Sequence, residues 1–90
     1  MPTIYRHKGY RFFFFSNEGY PNEPVHIHVR KGSQVAKFWL EPEVILESSY
    51  EISSSELKEL EEVIREKQES FKEAWNAYFG DRSSSKENMV

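Results

Sequence analysis

The residues with the greatest capacity for chemistry lie in the stretch Pro24-Val25-His26-Ile27-His28-Val29-Arg30. Apolar and polar residues alternate along it, as in a half-buried β-strand, so His26, His28 and Arg30 are predicted to point to one side. Two of the three histidines in the chain therefore share one face of the predicted strand. No catalytic signature, phosphate-binding loop or complete metal motif accompanies the pair. The sequence therefore identifies candidate residues but does not indicate a reaction.

The next predicted strand, residues 35–40, follows a loop at residues 31–34. If Ile27 and Phe38 both face the core, this loop must have an even number of residues, because strand side chains alternate between the two faces. Lys37 then lies directly across from one of the two histidines and on their face. The predicted surface group consists of His26, His28, Arg30, Lys37 and Trp39.

A metal ion is one candidate ligand for this surface group, because two imidazoles at positions i and i+2 of a strand can reach a single ion. Two ligands do not make a site, and a third would have to come from His7, Glu18 or Glu23. The positive charges of Arg30 and Lys37 on the same face oppose a cation. We therefore expect neither a metal nor a cofactor.

Metal-free cleavage of RNA is the enzymatic alternative. It needs a general acid, a general base and a cation that stabilises the charge of the phosphorane. His26 and His28 suit the acid and base roles near neutral pH, and Lys37 suits the third. Arg30 would add a second phosphate contact, and Trp39 would offer a surface on which a base stacks.

Binding without chemistry requires less of the same residues. A basic, aromatic sheet face can dock a partner protein or an RNA, and Trp39 beside Arg30 and Lys37 is typical of an interface anchor. We therefore expect partner binding through this face, with the ribonuclease as the alternative. A third interpretation leaves both histidines half-buried, hydrogen-bonded and inert beneath the helix.

A first hairpin is predicted upstream, with strands at residues 3–7 and 10–15. Lys8-Gly9 joins them, because glycine supplies the positive φ that a tight hairpin turn needs. The register predicts two opposed pairs, Tyr5 with Phe12 and Ile4 with Phe13. Both faces of this aromatic hairpin are partly apolar, which favours a homodimer contact through it.

The second half of the chain is predicted to contain a short edge strand at residues 44–46 and then a helix over residues 54–79. Ser53 and Glu56 form a capping-box pattern at the start of the helix. Apolar residues recur at three- and four-residue intervals along one stripe. The stripe weakens at Lys67-Gln68, where we expect a bend or a break into two helices.

Together these elements predict an α+β domain, with an antiparallel sheet of four or five strands packed by a long or bent C-terminal helix. Ninety residues leave room for one core, which we assign to residues 1–80. The polar, serine-rich residues 81–90 are predicted to be a disordered tail. The absence of cysteine excludes disulfides and favours a cytosolic setting, and no apolar run is long enough to span a membrane.

Charge is divided unevenly along the chain. Residues 1–40 carry six Lys/Arg and two Glu, a net charge of +4, whereas residues 41–90 carry six basic and thirteen acidic side chains, a net charge of −7. A basic sheet and an acidic helix favour an anionic ligand or partner for the sheet. The overall charge of −3 argues against a dedicated nucleic-acid coat protein.

Six segments resemble one known family in their order and spacing. They are Met1-Pro2-Thr3-Ile4, Gly9-Tyr10-Arg11-Phe12, Phe14-Phe15-Ser16-Asn17-Glu18, Pro24-Val25-His26-Ile27-His28-Val29, Ala36-Lys37-Phe38-Trp39-Leu40-Glu41-Pro42 and Trp75-Asn76-x-Tyr78-Phe79-Gly80. Together they resemble the small prokaryotic family catalogued as domain of unknown function 4160. Pro24-Val25-His26 stands where that family has Pro-Pro-His, a departure that leaves both histidines in place.

The resemblance implies a setting and no mechanism. Members of the family commonly occur in two-gene arrangements beside another small domain of unknown function, and toxin–antitoxin membership has been proposed for such pairs. The resemblance therefore implies a small protein partner encoded nearby, and it brings no reaction, substrate or cofactor. On this basis we expect a cytosolic prokaryotic interaction protein without membrane association.

Overall fold

A computed structural model describes residues 3–14 and 24–79. Within these ranges the elements are β1 (Thr3–His7), β2 (Tyr10–Phe13), β3 (His26–Lys31), β4 (Gln34–Trp39), β5 (Ile45–Tyr50), α1 (Ser54–Glu66) and α2 (Gln68–Tyr78). The five strands form one antiparallel sheet in the order β1-β2-β3-β4-β5. The predicted α+β class with an antiparallel sheet is confirmed.

Some predicted features lie outside the described residues. They are the end of the second strand at Phe15, most of the loop at residues 16–24 with Glu18 and Glu23, and the tail at residues 81–90. The assignment of a single domain to residues 1–80 stays a prediction.

Two tight turns set the register of the hairpins. Lys8 and Gly9 both have positive φ, of 50° and 87°, which matches the turn type whose twist suits a two-residue hairpin. The second turn is Gly32-Ser33, because Lys31 pairs with Gln34 and so belongs to the ladder. This two-residue loop has the even length that we predicted, and Ile27 is paired with Phe38.

The first hairpin confirms one predicted pair and corrects the other. Tyr5 is opposite Phe12, as expected, but Phe13 is paired with Thr3 and not with Ile4. The register shifts between Thr3 and Tyr5, so the first strand contains a bulge there. The bulge allows Ile4 to pack against the core, which a regular alternation would not permit.

Strand β5 is longer than the predicted segment at residues 44–46 and forms one edge of the sheet. Its pairing with β4 shifts register once, since Lys37 is opposite Ser48 and Phe38 is opposite Leu46. The residues beyond Leu46 are mainly exposed, so they lack the apolar alternation that marks a half-buried strand. Their pairing depends on the neighbouring strand and not on a pattern of their own.

The C-terminal segment forms two helices, which resolves the alternative left open at Lys67-Gln68. The Ser53 hydroxyl accepts a hydrogen bond from the Glu56 N–H at 3.2 Å and so caps α1. At Lys67, with φ −106° and ψ 16°, the backbone leaves the helical region, and its N–H is shared between the Val63 and Ile64 carbonyls at 3.1 Å each.

The core lies between one face of the sheet and the apolar stripes of the helices. The ring centroids of Phe12 and Phe71 are 5.8 Å apart, and those of Phe14 and Trp75 are 5.1 Å apart. The buried cluster contains Tyr10, Phe12, Phe14, Ile27, Val29, Ala36, Phe38, Leu40, Val44, Leu60, Ile64, Phe71 and Trp75. The strand side chains that alternate with these core residues lie on the opposite face of the sheet.

Candidate functional site

We call the sheet face opposite this core the outer face. Its side chains alternate with the core residues along each strand and include Arg6, Arg11, Phe13, His28, Arg30, Val35, Lys37, Trp39, Ser48 and Tyr50. The register places Lys37 directly opposite His28 and Trp39 directly opposite His26. The predicted surface group is therefore brought together by β3 and β4, but its members differ in burial.

His26 is inside the protein and not at its surface, with an exposed fraction of 0%. Its ring centroid lies 5.5 Å from that of Trp39 and 4.9 Å from that of Trp75. Pairing between β2 and β3 ends at Phe13 and His28, so no described β2 residue lies beside His26, and Trp75 of α2 reaches its ring. The sequence-based expectation of a surface-exposed His26 ring does not match this burial.

The tautomer of His26 follows from its hydrogen bond. Its Nδ1 lies 2.9 Å from the Pro24 carbonyl oxygen, and a carbonyl only accepts, so Nδ1 carries the proton and donates it. This bond fixes the ring orientation at the start of β3. Of the interpretations left open by the sequence, a buried and hydrogen-bonded structural residue describes His26 best.

His28 and Lys37 are half-buried neighbours on the outer face. The His28 ring is stacked on Phe13, with centroids 5.6 Å apart and an interplanar angle of 26°. Lys37 Nζ lies 4.6 Å from the centroid of Trp39, a cation–π contact. The result is a packed aromatic layer with one ammonium group held against it.

Arg30 lies at the other end of this group, next to the hairpin turn. Its side chain is exposed, and its Nε donates to the Gly32 carbonyl at 3.1 Å. On the neighbouring strand it is opposite Arg11, an outer-face residue that the predicted group did not include. The sequence predicted Arg30 as a member of the surface group, but it did not supply the register between the two hairpins, which places Arg11 beside Arg30.

A groove of about 230 Å³ runs beside the surface group, between β4 and β5. It is lined by His28, Val35, Ala36, Lys37, Ser48, Ser49 and Tyr50. Ser48 and Tyr50 were missed because the last strand was expected to end at residue 46. The only signal for them in the sequence is Tyr50 itself, an aromatic residue of a type enriched in strands.

A second polar cluster joins the first hairpin to α1. The carboxylate of Glu59 lies 2.9 Å from His7 Nε2 and 2.9 Å from Lys8 Nζ. Hydrogen bonding by Lys8, and then by His7, lowers the pKa of Glu59 below the ordinary value for a glutamate. His7 is thus engaged by a carboxylate of the helix and does not lie in the predicted surface group.

Tyr10 belongs to the same cluster and lies between the sheet and the helix. Its hydroxyl donates to Glu56 Oε1 at 3.4 Å, and Lys31 Nζ lies 5.0 Å from its ring centroid. Burial raises the pKa of the Tyr10 hydroxyl, and the negative charge of Glu56 raises it further. A pocket of about 90 Å³ is enclosed by these residues together with Leu60.

Groups that bind metal ions do not converge in the described part of the chain. Among residues 3–14 and 24–79, no three side chains of the His, Cys, Asp and Glu types come close enough to hold an ion. Glu18 and Glu23, which were considered as third ligands, lie outside these ranges. In the same ranges, neither helix has the length and apolar character needed to cross a bilayer.

Comparison with known proteins gives one match. A family model described as "Domain of unknown function (DUF4160)" matches residues 9–76. The matched segment contains β2 to β5, α1 and most of α2, and it includes the whole predicted surface group. No curated protein and no solved structure matches the chain.

Proposed function

We propose that this protein, which belongs to the DUF4160 family, is a cytosolic prokaryotic interaction protein that binds a partner protein through its outer face. In this proposal the partner is a small protein encoded nearby, and the two form a toxin–antitoxin-like pair. The observation that supports the proposal is the placement of Trp39, Lys37 and His28 side by side and half-buried on the sheet face opposite the buried core.

The half-buried Trp39 has the properties of an interface anchor. Its ring is held edge-on to His26 at 5.5 Å and against Lys37 Nζ at 4.6 Å, so its orientation is fixed before a partner arrives. A pre-oriented ring loses little conformational entropy on binding, and Trp is among the residue types that dominate interface energies. His26 contributes to the face indirectly, as the buried support of Trp39.

The groove beside Lys37 gives this face a concave region into which a partner side chain can fit. Tyr50 forms one wall of the groove and has an exposed fraction of 59%, the highest among the large apolar side chains of the described residues. An exposed aromatic ring next to a cationic side chain suits a partner surface that presents an apolar knob flanked by carboxylates. The net positive charge predicted for the sheet half favours the same kind of partner.

The ribonuclease alternative stays a prediction that the burial of His26 does not favour. A general acid and a general base must both reach the reacting oxygens. The His26 ring has an exposed fraction of 0%, and its Nδ1 proton is donated to the Pro24 carbonyl. His28, the other member of the pair, is half-buried and stacked on Phe13.

Replacement of Trp39 by alanine tests the proposed function. The protein encoded by the neighbouring gene is produced with this chain, and the dissociation constant of the complex is measured by isothermal titration calorimetry. We expect Trp39→Ala to raise the dissociation constant at least about tenfold, because truncation of a central anchor typically costs more than about 1.4 kcal/mol. Lys37→Glu is expected to weaken binding in the same direction.

Lys58→Glu is the matched control, since it makes the same charge reversal on an exposed position of α1. It should leave the dissociation constant within about twofold. A Trp39→Ala variant that melts cooperatively and still binds with unchanged affinity would count against the outer face as the interface. If the neighbouring protein binds neither wild type nor variant, the proposed pairing is wrong.

A further inference from the structure

Three arginines form a line across the first three strands of the sheet. Arg6 of β1 is directly opposite Arg11 of β2, which is directly opposite Arg30 of β3. All three belong to the outer face, because their neighbours along each strand pack towards the core or the helices. We call Arg6, Arg11 and Arg30 the arginine row.

Like charges in directly opposed strand positions repel each other and destabilise a sheet. Within residues 3–14 and 24–79, no carboxylate forms an ion pair with any member of the arginine row. The described part of the chain therefore concentrates positive charge along one line without a paired carboxylate there. This arrangement suits a ligand that supplies several negative charges at once.

The guanidinium groups keep donors available for such a ligand. The guanidinium carbon of Arg11 lies 5.1 Å from the ring centroid of Phe13, a cation–π contact, and its N–H groups form no hydrogen bond with another described residue. Arg30 uses its Nε for the Gly32 carbonyl, which leaves its two terminal nitrogens to bind elsewhere. Arg6 is exposed at the edge strand.

The same line continues across the rest of the sheet to an exposed aromatic ring. Arg30 is opposite Val35, and Val35 is opposite Tyr50 of β5, whose exposed fraction is 59%. Four inter-strand steps of about 4.8 Å separate β1 from β5, so the line spans roughly 19 Å. Cations at one end and a ring at the other are the two components with which proteins bind single-stranded nucleic acids.

We propose that the arginine row binds the phosphate backbone of a single-stranded nucleic acid, with a base stacked on Tyr50. Guanidinium groups match the oxygen geometry of phosphate, and a row of them follows a chain of phosphates. The helices on the opposite side carry seven glutamates against three Lys/Arg, so they repel a polyanion and confine it to the outer face. This proposal uses residues other than Trp39 and does not depend on the proposed protein partner.

Fluorescence anisotropy with 5′-fluorescein-labelled 20-nucleotide oligouridylate, and in parallel with oligodeoxythymidylate, tests the arginine row. For three phosphate contacts, the slope of log K against log salt concentration should be about −2, since each contact with a single strand contributes about 0.7. Arg30→Gln and Arg6→Gln should each reduce the slope by about 0.7 and weaken binding about tenfold. Tyr50→Ala should weaken binding at least about fivefold, and Tyr50→Phe should retain it.

Lys58→Gln removes one positive charge from α1 and is the matched control; it should leave both slope and affinity unchanged. Each variant is checked by thermal melting, and the arginine variants should be at least as stable as wild type because they relieve repulsion between opposed charges. Equal binding of the two oligonucleotides supports a site for single strands that does not distinguish ribose from deoxyribose, tighter binding of oligouridylate supports RNA as the ligand, and tighter binding of oligodeoxythymidylate supports DNA.

Three results would overturn the proposal. The first is a wild-type protein that does not bind either oligonucleotide at low salt. The second is binding that Lys58→Gln weakens as much as Arg30→Gln does, which would mark a general effect of net charge. The third is a protein that binds a deca-glutamate peptide but neither oligonucleotide, with peptide binding weakened by the arginine substitutions. That result would assign the arginine row to an acidic protein segment.

Discussion

The two histidines of His26-Ile27-His28 show how differently one residue type behaves at positions two apart. Both point away from Ile27, yet His26 is enclosed by Trp39 and Trp75 while His28 is half-buried against Phe13. Among the described residues the pairing of β2 with β3 ends at His28, and at the beginning of β3 it is Trp75 of α2 that reaches the ring of His26. Residue type and spacing alone therefore do not define a catalytic pair here.

Ionisation of Tyr10 should lower the free energy of unfolding. Its pKa is raised by burial and by Glu56, so the unfolded chain loses this proton at lower pH than the folded chain. Stability from Tyr10 is therefore complete below pH 10, the ordinary pKa of tyrosine, and is lost as pH rises through the folded pKa. The free energy of unfolding of wild type should fall more steeply above pH 10 than that of Tyr10→Phe.

Urea denaturation between pH 8 and pH 11 measures this difference. At neutral pH, Tyr10→Phe should cost less than about 1 kcal/mol, because the hydrogen bond to Glu56 is long at 3.4 Å. Tyr78→Phe, at an exposed position of α2, is the control and should follow wild type. If wild type and Tyr10→Phe have the same alkaline slope, then burial does not hold the Tyr10 proton.

At the scale of elements, the helix break supports the connection between β4 and β5. Strand β4 ends before Pro42, which has no N–H to donate to a ladder. The carbonyls in the connection between β4 and β5 therefore need hydrogen-bond donors from outside the sheet. Gln68, the first residue of α2, donates from Nε2 to the Leu40 carbonyl at 2.7 Å. Arg65, near the end of α1, donates to the Val44 carbonyl at 3.2 Å. The helix junction and the sheet connection therefore stabilise each other.

Gln68→Ala tests this coupling between elements. Leu40 is fully buried, so the loss of the Gln68 donor leaves its carbonyl without that partner. We expect the free energy of unfolding to fall by about 1–3 kcal/mol, the cost of an unsatisfied buried acceptor. Equilibrium urea denaturation at pH 7 gives the value directly.

Glu69→Ala, at the next residue and on an exposed side chain, is the control and should change stability by less than about 0.5 kcal/mol. An effect of Gln68→Ala no larger than this control would show that water replaces the side-chain donor without cost.

At the scale of the whole molecule, charge is arranged in two layers. The outer face carries the arginine row and Lys37, while the helices carry an excess of glutamate. The two layers meet at Glu59, which bridges α1 to Lys8 and His7 of the first hairpin. An association of two copies through the aromatic hairpin stays a prediction.

Glu59→Gln should reveal the contribution of this bridge through its pH dependence. The pKa of Glu59 is lowered in the folded protein, so the stability it provides is present above the ordinary glutamate pKa near 4.5 and is lost as pH falls through the folded pKa. Glu59→Gln should therefore be less stable than wild type at pH 7, and the difference should shrink in acid below pH 4.5. Thermal melting from pH 7 to pH 3 measures the difference.

Glu62→Gln, an exposed position on the same helix, is the matched control and should show no such convergence with wild type. A difference between Glu59→Gln and wild type that stays constant down to pH 3 would mean that the charge of Glu59 is not what stabilises the contact.

Much of the fold was accessible from local patterns. The Lys8-Gly9 turn, the pairing of Ile27 with Phe38, the Ser53 cap and the weak point at Lys67-Gln68 each depend on a few neighbouring residues. Two predictions were wrong or incomplete because the features concerned depend on residues that are distant in the sequence. The bulge near Ile4 and the extension of β5 to Tyr50 are set by packing and by the adjacent strand, neither of which a local pattern contains.

The candidate site also has features that the sequence determined and features that only the tertiary structure decided. By itself the sequence determined which residues alternate outward on β3 and β4, and hairpin parity placed Lys37 opposite one of the two histidines. Only the tertiary structure decided that His26 is buried, that Arg6, Arg11 and Arg30 lie in one line, and that Tyr50 ends that line. The physical reason is range: alternation and turn geometry act over a few residues, whereas burial and the register between separate hairpins depend on contacts between distant parts of the chain.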